Sequence, residues 1–114
     1  RLWKQTSPEK EAALIRASEV PEEIVDLCLE ALNHLPGQIP STSPHLVSDL
    51  AEAGILLAAA SESAALNVEI NLSAFADASL ALHRREALKK KLEKIRVVSG
   101  EVRSAFNPAR ESCS

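Results

Sequence analysis

The segment VSDLAEAGILLAAASESAALNVEINL, Val47 to Leu72, constrains this chain more than any other. It holds 26 residues with four carboxylates and no basic side chain. Apolar positions recur along it at helical spacing in three rows at once. One row steps through Leu46, Leu50, Ala53, Leu57, Ala60 and Ala64 to Asn67 and Asn71; a second holds Val47, Gly54, Ala58, Ala65 and Val68; a third holds Ile55, Ala59, Leu66 and Ile70. A helix apolar on so many sides implies burial on most of them. It should be the central helix of its domain, and its many Ala and Gly let neighbouring helices approach closely.

The flanking sequence supplies the neighbours. In TSPEKEAALIRASEVPEEIVDLCLEALNHLPG, Thr6 or Ser7 stands as N-cap, Pro8 in the first turn, and Glu9 and Glu11 near the positive end of the dipole. Pro21 either kinks the helix that follows or starts a new one, because it lacks the N–H of a helix interior. Ile24, Leu27, Cys28, Ala31 and Leu35 continue at spacings of three and four. LPGQIPSTSP then reads as a loop. After NLSAF, a last helix from about Asp77 to Ser104 carries Leu88, Leu92, Ile95, Ser99, Val102 and Phe106 on one face and RREALKKKLEKIR on its charged face. With no Tyr, one Trp, two Phe and three Gly in 114 residues, composition also points away from sheets. The expected fold is all-α, a bundle of three to four helices around an Ala-rich apolar one. Such a bundle exposes more apolar surface than so small a monomer covers, so an oligomer is expected.

Net charge is −3, divided as −3 over residues 1–40, −5 over 41–77 and +5 over 78–114. A basic final third suits either an anionic ligand or a basic helix lying beside acidic ones. It has no interleaved aromatics to stack bases, which argues against nucleic acid. Cys28 and Cys113 fit no zinc or redox spacing, and their sparse use suits a reducing, cytoplasmic setting. His34, His45 and His83 lack metal-site spacing, so no metal is expected. The longest uncharged run, Ala53 to Ser61, is about half a membrane span.

The two asparagines need polar partners if the stripe that carries them is buried. A polar contact with another helix, or a role at the helix end near Asn71, would provide one; so would a ligand. Here the residues reach a resemblance. VSD at 47–49, the small-residue helix after it, LNVEINL at 66–72 and the upstream ASEVP at 17–21 resemble the formiminotetrahydrofolate cyclodeaminase family. That family comprises the C-terminal domain of bifunctional formiminotransferase-cyclodeaminase and related stand-alone proteins, some described as methenyltetrahydrofolate cyclohydrolases. The likeness covers roughly residues 10–105.

The resemblance implies an all-helical, dimer-forming fold. It implies ring closure of 5-formiminotetrahydrofolate to 5,10-methenyltetrahydrofolate with loss of ammonia, with no cofactor beyond the folate substrate. Asp49 would shuttle the proton as the catalytic residue, and Asn67, Asn71 and Ser48 would bind substrate. Lys89, Lys90 and Lys91 would meet a polyglutamate tail, or form a solvated face. Asp49 and Asn67, 18 residues apart, lie about 27 Å apart along one helix. They would serve opposite ends of an extended folate, or meet through an antiparallel partner, or Asp49 is a first-turn carboxylate on the helix dipole. The family's Gly-rich PGGGS-like segment and the Ala-rich helix after it have no counterpart here. Residues 1–107 are therefore expected to form a partial cyclodeaminase-like domain, with 108–114 a flexible tail. It would be incomplete as a catalyst alone, with a second copy or a missing N-terminal half as partner. The alternative is a non-catalytic helical interaction or oligomerisation module.

Overall fold

The computed structural model describes residues 7–108; the expected tail, 108–114, lies outside them except for Pro108. Three α-helices of 27 residues each follow one another: α1 (Pro8–His34), α2 (Val47–Ser73) and α3 (Ala78–Ser104). At 1.5 Å per residue each is about 40 Å long. They run up, down and up, with α2 packed against both neighbours. No strand occurs among the described residues. The Cα radius of gyration is 18.4 Å, against about 13 Å for a compact domain of ~100 residues. The chain is therefore a rod, 18 by 17 Å across.

Local sequence sets the ends. Ser7 is the N-cap of α1, its hydroxyl accepting from the Lys10 N–H at 3.2 Å, with Pro8 in the first turn. The α1–α2 connection folds into two short 3-10 turns, Pro36–Ser41 and Pro44–Leu46. The Thr42 hydroxyl donates to the Gln38 carbonyl at 2.6 Å there. Between α2 and α3, Asp77 caps α3 by accepting from the Leu80 N–H at 3.0 Å. The Glu11 carboxylate reaches over from α1 and accepts from the N–H groups of Ala76 and Asp77, at 2.9 and 3.1 Å. One carboxylate thus ties the start of α1 to the α2–α3 turn.

The core is thin and runs the length of the rod. Val25, Leu32, Val68, Leu72, Ile95 and Val102 are its largest fully buried apolar side chains; each such burial stabilises by about 1.5–3 kcal/mol. On α3, Leu88, Ile95 and Val102 of the expected stripe are buried and Leu92, Ser99 and Phe106 half-buried, and buried Ala81 continues the row one heptad earlier. The other two helices correct the reading. On α1 the core row is Ser18, Pro21, Val25, Cys28 and Leu32, while Ile24 and Leu27 are exposed. Pro21 does not start a new helix but lies buried inside α1, which runs unbroken from Pro8 to His34.

On α2 the second of the three rows won. Val47, Ala51, Gly54, Ser61, Ala64, Ala65, Val68 and Leu72 are buried, Ala64 coming from the first row, while Ala58 of the second is half-buried. The third row does not find a partner: Leu66 and Ile70 are 68% and 67% exposed, with Leu56 at 70% beside them. Burial on most sides of α2 is therefore not observed in the single chain. By length and composition the span Pro44–Ser73 would also suffice to cross a membrane, the one such helix among the described residues. Its inner face is the spine of the bundle.

Candidate functional site

The four residues singled out by sequence all lie on α2, two at each end. Ser48 and Asp49 occupy its first turn, where Asp49 is exposed and complements the positive end of the helix dipole. Leu46 precedes them with no side-chain cap, so that carboxylate is the acidic group nearest the open N–H groups. Asn67 and Asn71 lie near the other end. Eighteen residues make five helical turns, so Asp49 and Asn67 share one side of α2 but stand about 27 Å apart. The single chain does not bring them together.

The asparagines themselves divide. Asn67 is exposed rather than on a buried stripe, and it makes no hydrogen bond among the described residues. Asn71 is half-buried and its Nδ2 donates to the backbone carbonyl of Ala17 on α1 at 3.3 Å. That carbonyl is the one the helix itself leaves open. In a regular helix it would accept from the N–H of residue 21, and residue 21 is Pro. Asn71 supplies from across the bundle the donor that Pro21 removes.

Around this contact lies a polar cluster that sequence reasoning missed. Ser18, fully buried, donates to the Ile15 carbonyl at 2.8 Å and accepts from Arg84 Nη1 at 3.0 Å. The same Arg84 nitrogen bonds Glu22 at 2.9 Å, and its guanidinium stands 5.8 Å from the centre of the Phe75 ring. Arg85 pairs with Glu69 at 2.9 Å. Lys91 pairs with Asp26. The only advance signal was Ser18 within ASEVP and Glu69 within LNVEINL, and neither segment named a partner.

Beside the cluster, α2 and α3 border an open groove of about 900 Å³. Leu66, Leu82 and Leu92 give it an apolar lining, and Glu62, Lys89 and Arg96 stand among its charged residues. It is large enough for a drug-sized ligand. Burial pushes the Cys28 thiol above its ordinary range, which marks it as inert. No group of three or more His, Cys, Asp or Glu able to hold a metal occurs among the described residues.

A family model described as formiminotransferase-cyclodeaminase matches residues 3–90. The chain belongs to this family. The matched span covers α1, α2 and the first half of α3, and so includes Ser48, Asp49, Asn67, Asn71 and the Ser18–Glu22–Arg84 cluster. Membership of this family fits a setting in folate and one-carbon chemistry. No curated protein and no solved structure matches the chain.

Proposed function

We propose that this chain handles a reduced folate as part of a cyclodeaminase site, in a cytoplasmic setting, with no cofactor beyond the folate. The reaction is closure of 5-formiminotetrahydrofolate to 5,10-methenyltetrahydrofolate, or the related hydrolytic step on the methenyl compound. In the closure, N10 attacks the formimino carbon, a C–N bond forms, and the bond to the departing nitrogen breaks to release ammonia. A proton leaves N10 and one reaches the departing nitrogen. An exposed carboxylate such as Asp49 suits that transfer. Asn67 offers a solvent-facing amide that both donates and accepts, and Asn71 keeps its Oδ1 for a ligand while its Nδ2 holds Ala17. Ser48 adds a hydroxyl next to the carboxylate.

The observation that carries this reading is the family match, which spans both polar pairs on α2. Their separation means that one chain alone does not surround a reacting centre, so the site is completed by another copy or another segment. Calorimetric titration with a stable reduced folate such as 5-formyltetrahydrofolate tests it. Saturable binding, weakened at least tenfold by Asn67→Ala or Asp49→Ala with unchanged melting, supports the reading. Absence of binding removes it. In that event the second reading takes its place: a non-catalytic helical interaction module, favoured by the exposed apolar row on α2.

A further inference from the structure

The cations of α3 fall in rows, and the bundle leaves one row without counter-charges. Toward α1, Arg84 and Lys91 stand seven residues apart. Each meets an α1 carboxylate, Arg84 on Glu22 at 2.9 Å and Lys91 on Asp26 at 2.6 Å. On the other flank Leu82, Lys89, Arg96 and Arg103 repeat at the same seven-residue step, and all four are exposed. None of these last three cations has an ion pair among the described residues.

That row borders the open groove between α2 and α3. A second stretch of about 410 Å³ continues the groove described above, sharing Ala59, Glu62 and Arg96 with it and reaching Gly100 and Arg103. No α1 residue lines either stretch. From Leu82 to Arg103 the groove runs about 32 Å along α3, roughly six helical turns. Leu66 and Leu92 line it, and at Gly100 nothing stands within 4 Å of an added Cβ. The α2 wall does not neutralise the row: Glu69 is held by Arg85, and Glu62 borders the groove without pairing with Arg96. Glu86 and Glu93 line the groove as well, and neither pairs with the row. An apolar seam flanked by like charges at seven-residue steps selects a helix whose flank carries the opposite sign.

We propose that this groove receives an amphipathic helix of another protein, apolar along one stripe and acidic along the flank that lies over α3. The bundle already contains the same arrangement on the opposite side of α3, where α1 sets Glu22 and Asp26 on Arg84 and Lys91. The docked helix covers Leu66, Leu82 and Leu92 with its apolar stripe and stands its carboxylates over Lys89, Arg96 and Arg103. The sign is a specific demand. The chain as a whole carries −3, so unspecific attraction would favour a basic helix instead. The proposal goes with either reading of the site, since no folate contact enters it.

Two labelled synthetic helices of about six turns test it. Both carry the same leucine stripe with Gln on one flank, and they differ only in having Glu or Lys on the other. In fluorescence anisotropy against the full chain, the Glu peptide is expected to bind saturably, at least tenfold more tightly than the Lys peptide, with the gap narrowing as salt is added. Replacing Lys89, Arg96 and Arg103 together by Gln should erase the preference, and replacing all three by Glu should invert it, with the helical circular dichroism retained. Binding of neither peptide, equal binding of both, or a preference that survives the Gln replacements would overturn the proposal. So would a wild-type dimer in sedimentation that the Gln replacements dissociate, because a second copy then fills the groove.

Discussion

The Asn71 amide and the Pro21 ring are two ends of one arrangement, and a double-mutant cycle measures their coupling. Asn71→Ala removes the 3.3 Å donor to the Ala17 carbonyl, which then has no protein partner because residue 21 has no N–H. A hydrogen bond of this kind is worth about 0.5–1.5 kcal/mol. The low half of that range applies, since Ala17 is exposed and water replaces part of the loss. At this chain length ~1 kcal/mol lowers the melting temperature by about 4 °C. Pro21→Ala restores the N–H and closes the helix on itself. In that background Ala17 is already bonded, and Asn71→Ala should cost ~0.5 kcal/mol less. Urea unfolding followed by circular dichroism, at one fixed protein concentration so that self-association does not enter, gives all four free energies. An Asn71→Ala cost that is the same with Pro21 as with Ala at that position would refute the argument. The amide would then be an adventitious surface contact.

Three further outcomes follow from particular contacts. Glu11→Gln should destabilise by about 1–2 kcal/mol, because the charge that accepts from two N–H groups of the α2–α3 turn is lost; chemical denaturation at neutral pH reads it, and an unchanged midpoint counts against the tie. Gly54→Ala should stabilise by about 0.5–1 kcal/mol. A Cβ there meets Val102 at 3.7 Å and Leu32 at 3.9 Å, ordinary contact distances, while the helix gains a better former; a lower melting temperature would show the interface to be tighter than described. In a Cys113→Ser background Cys28 should resist a thiol reagent at pH 8 until denaturant is added. Burial pushes its pKa up and keeps the reactive thiolate scarce, so rapid native-state labelling would contradict its place in the core.

The fold was legible because the signals were local. A Ser-Pro start, a proline-rich break and the 26-residue apolar run give α1, the connection and α2 within a residue or two. What stayed hidden was decided by distant partners. Pro21 reads as a kink or a new start because its cost in a helix is local, whereas its relief comes from Asn71, 54 residues away from Ala17 in sequence. On α2, three apolar rows compete on equal terms, and nothing in the helix itself says which will face its neighbours. The row holding the asparagines lies at the edge of the packed face, which leaves Asn67 in solvent and Asn71 just within reach of α1. The Ser18–Glu22–Arg84 cluster joins residues more than 60 positions apart. No sequence spacing announces such a pairing.

The cross-helix polar contacts described above are gathered toward one end of the rod. Glu11 at the α2–α3 turn, Asn71 on Ala17, Arg84 on Ser18 and Glu22, Arg85 on Glu69 and Lys91 on Asp26 all fall between the start of α1 and its residue 26. Beyond that level Leu32, Gly54 and Val102 pack against one another. Apolar layers repeating every seven residues tolerate sliding, whereas directed hydrogen bonds do not. Contacts of this kind fix the register of the three helices over that part of the rod. Amide exchange should be slow around Ser18 and Leu72, where these contacts and the buried core coincide.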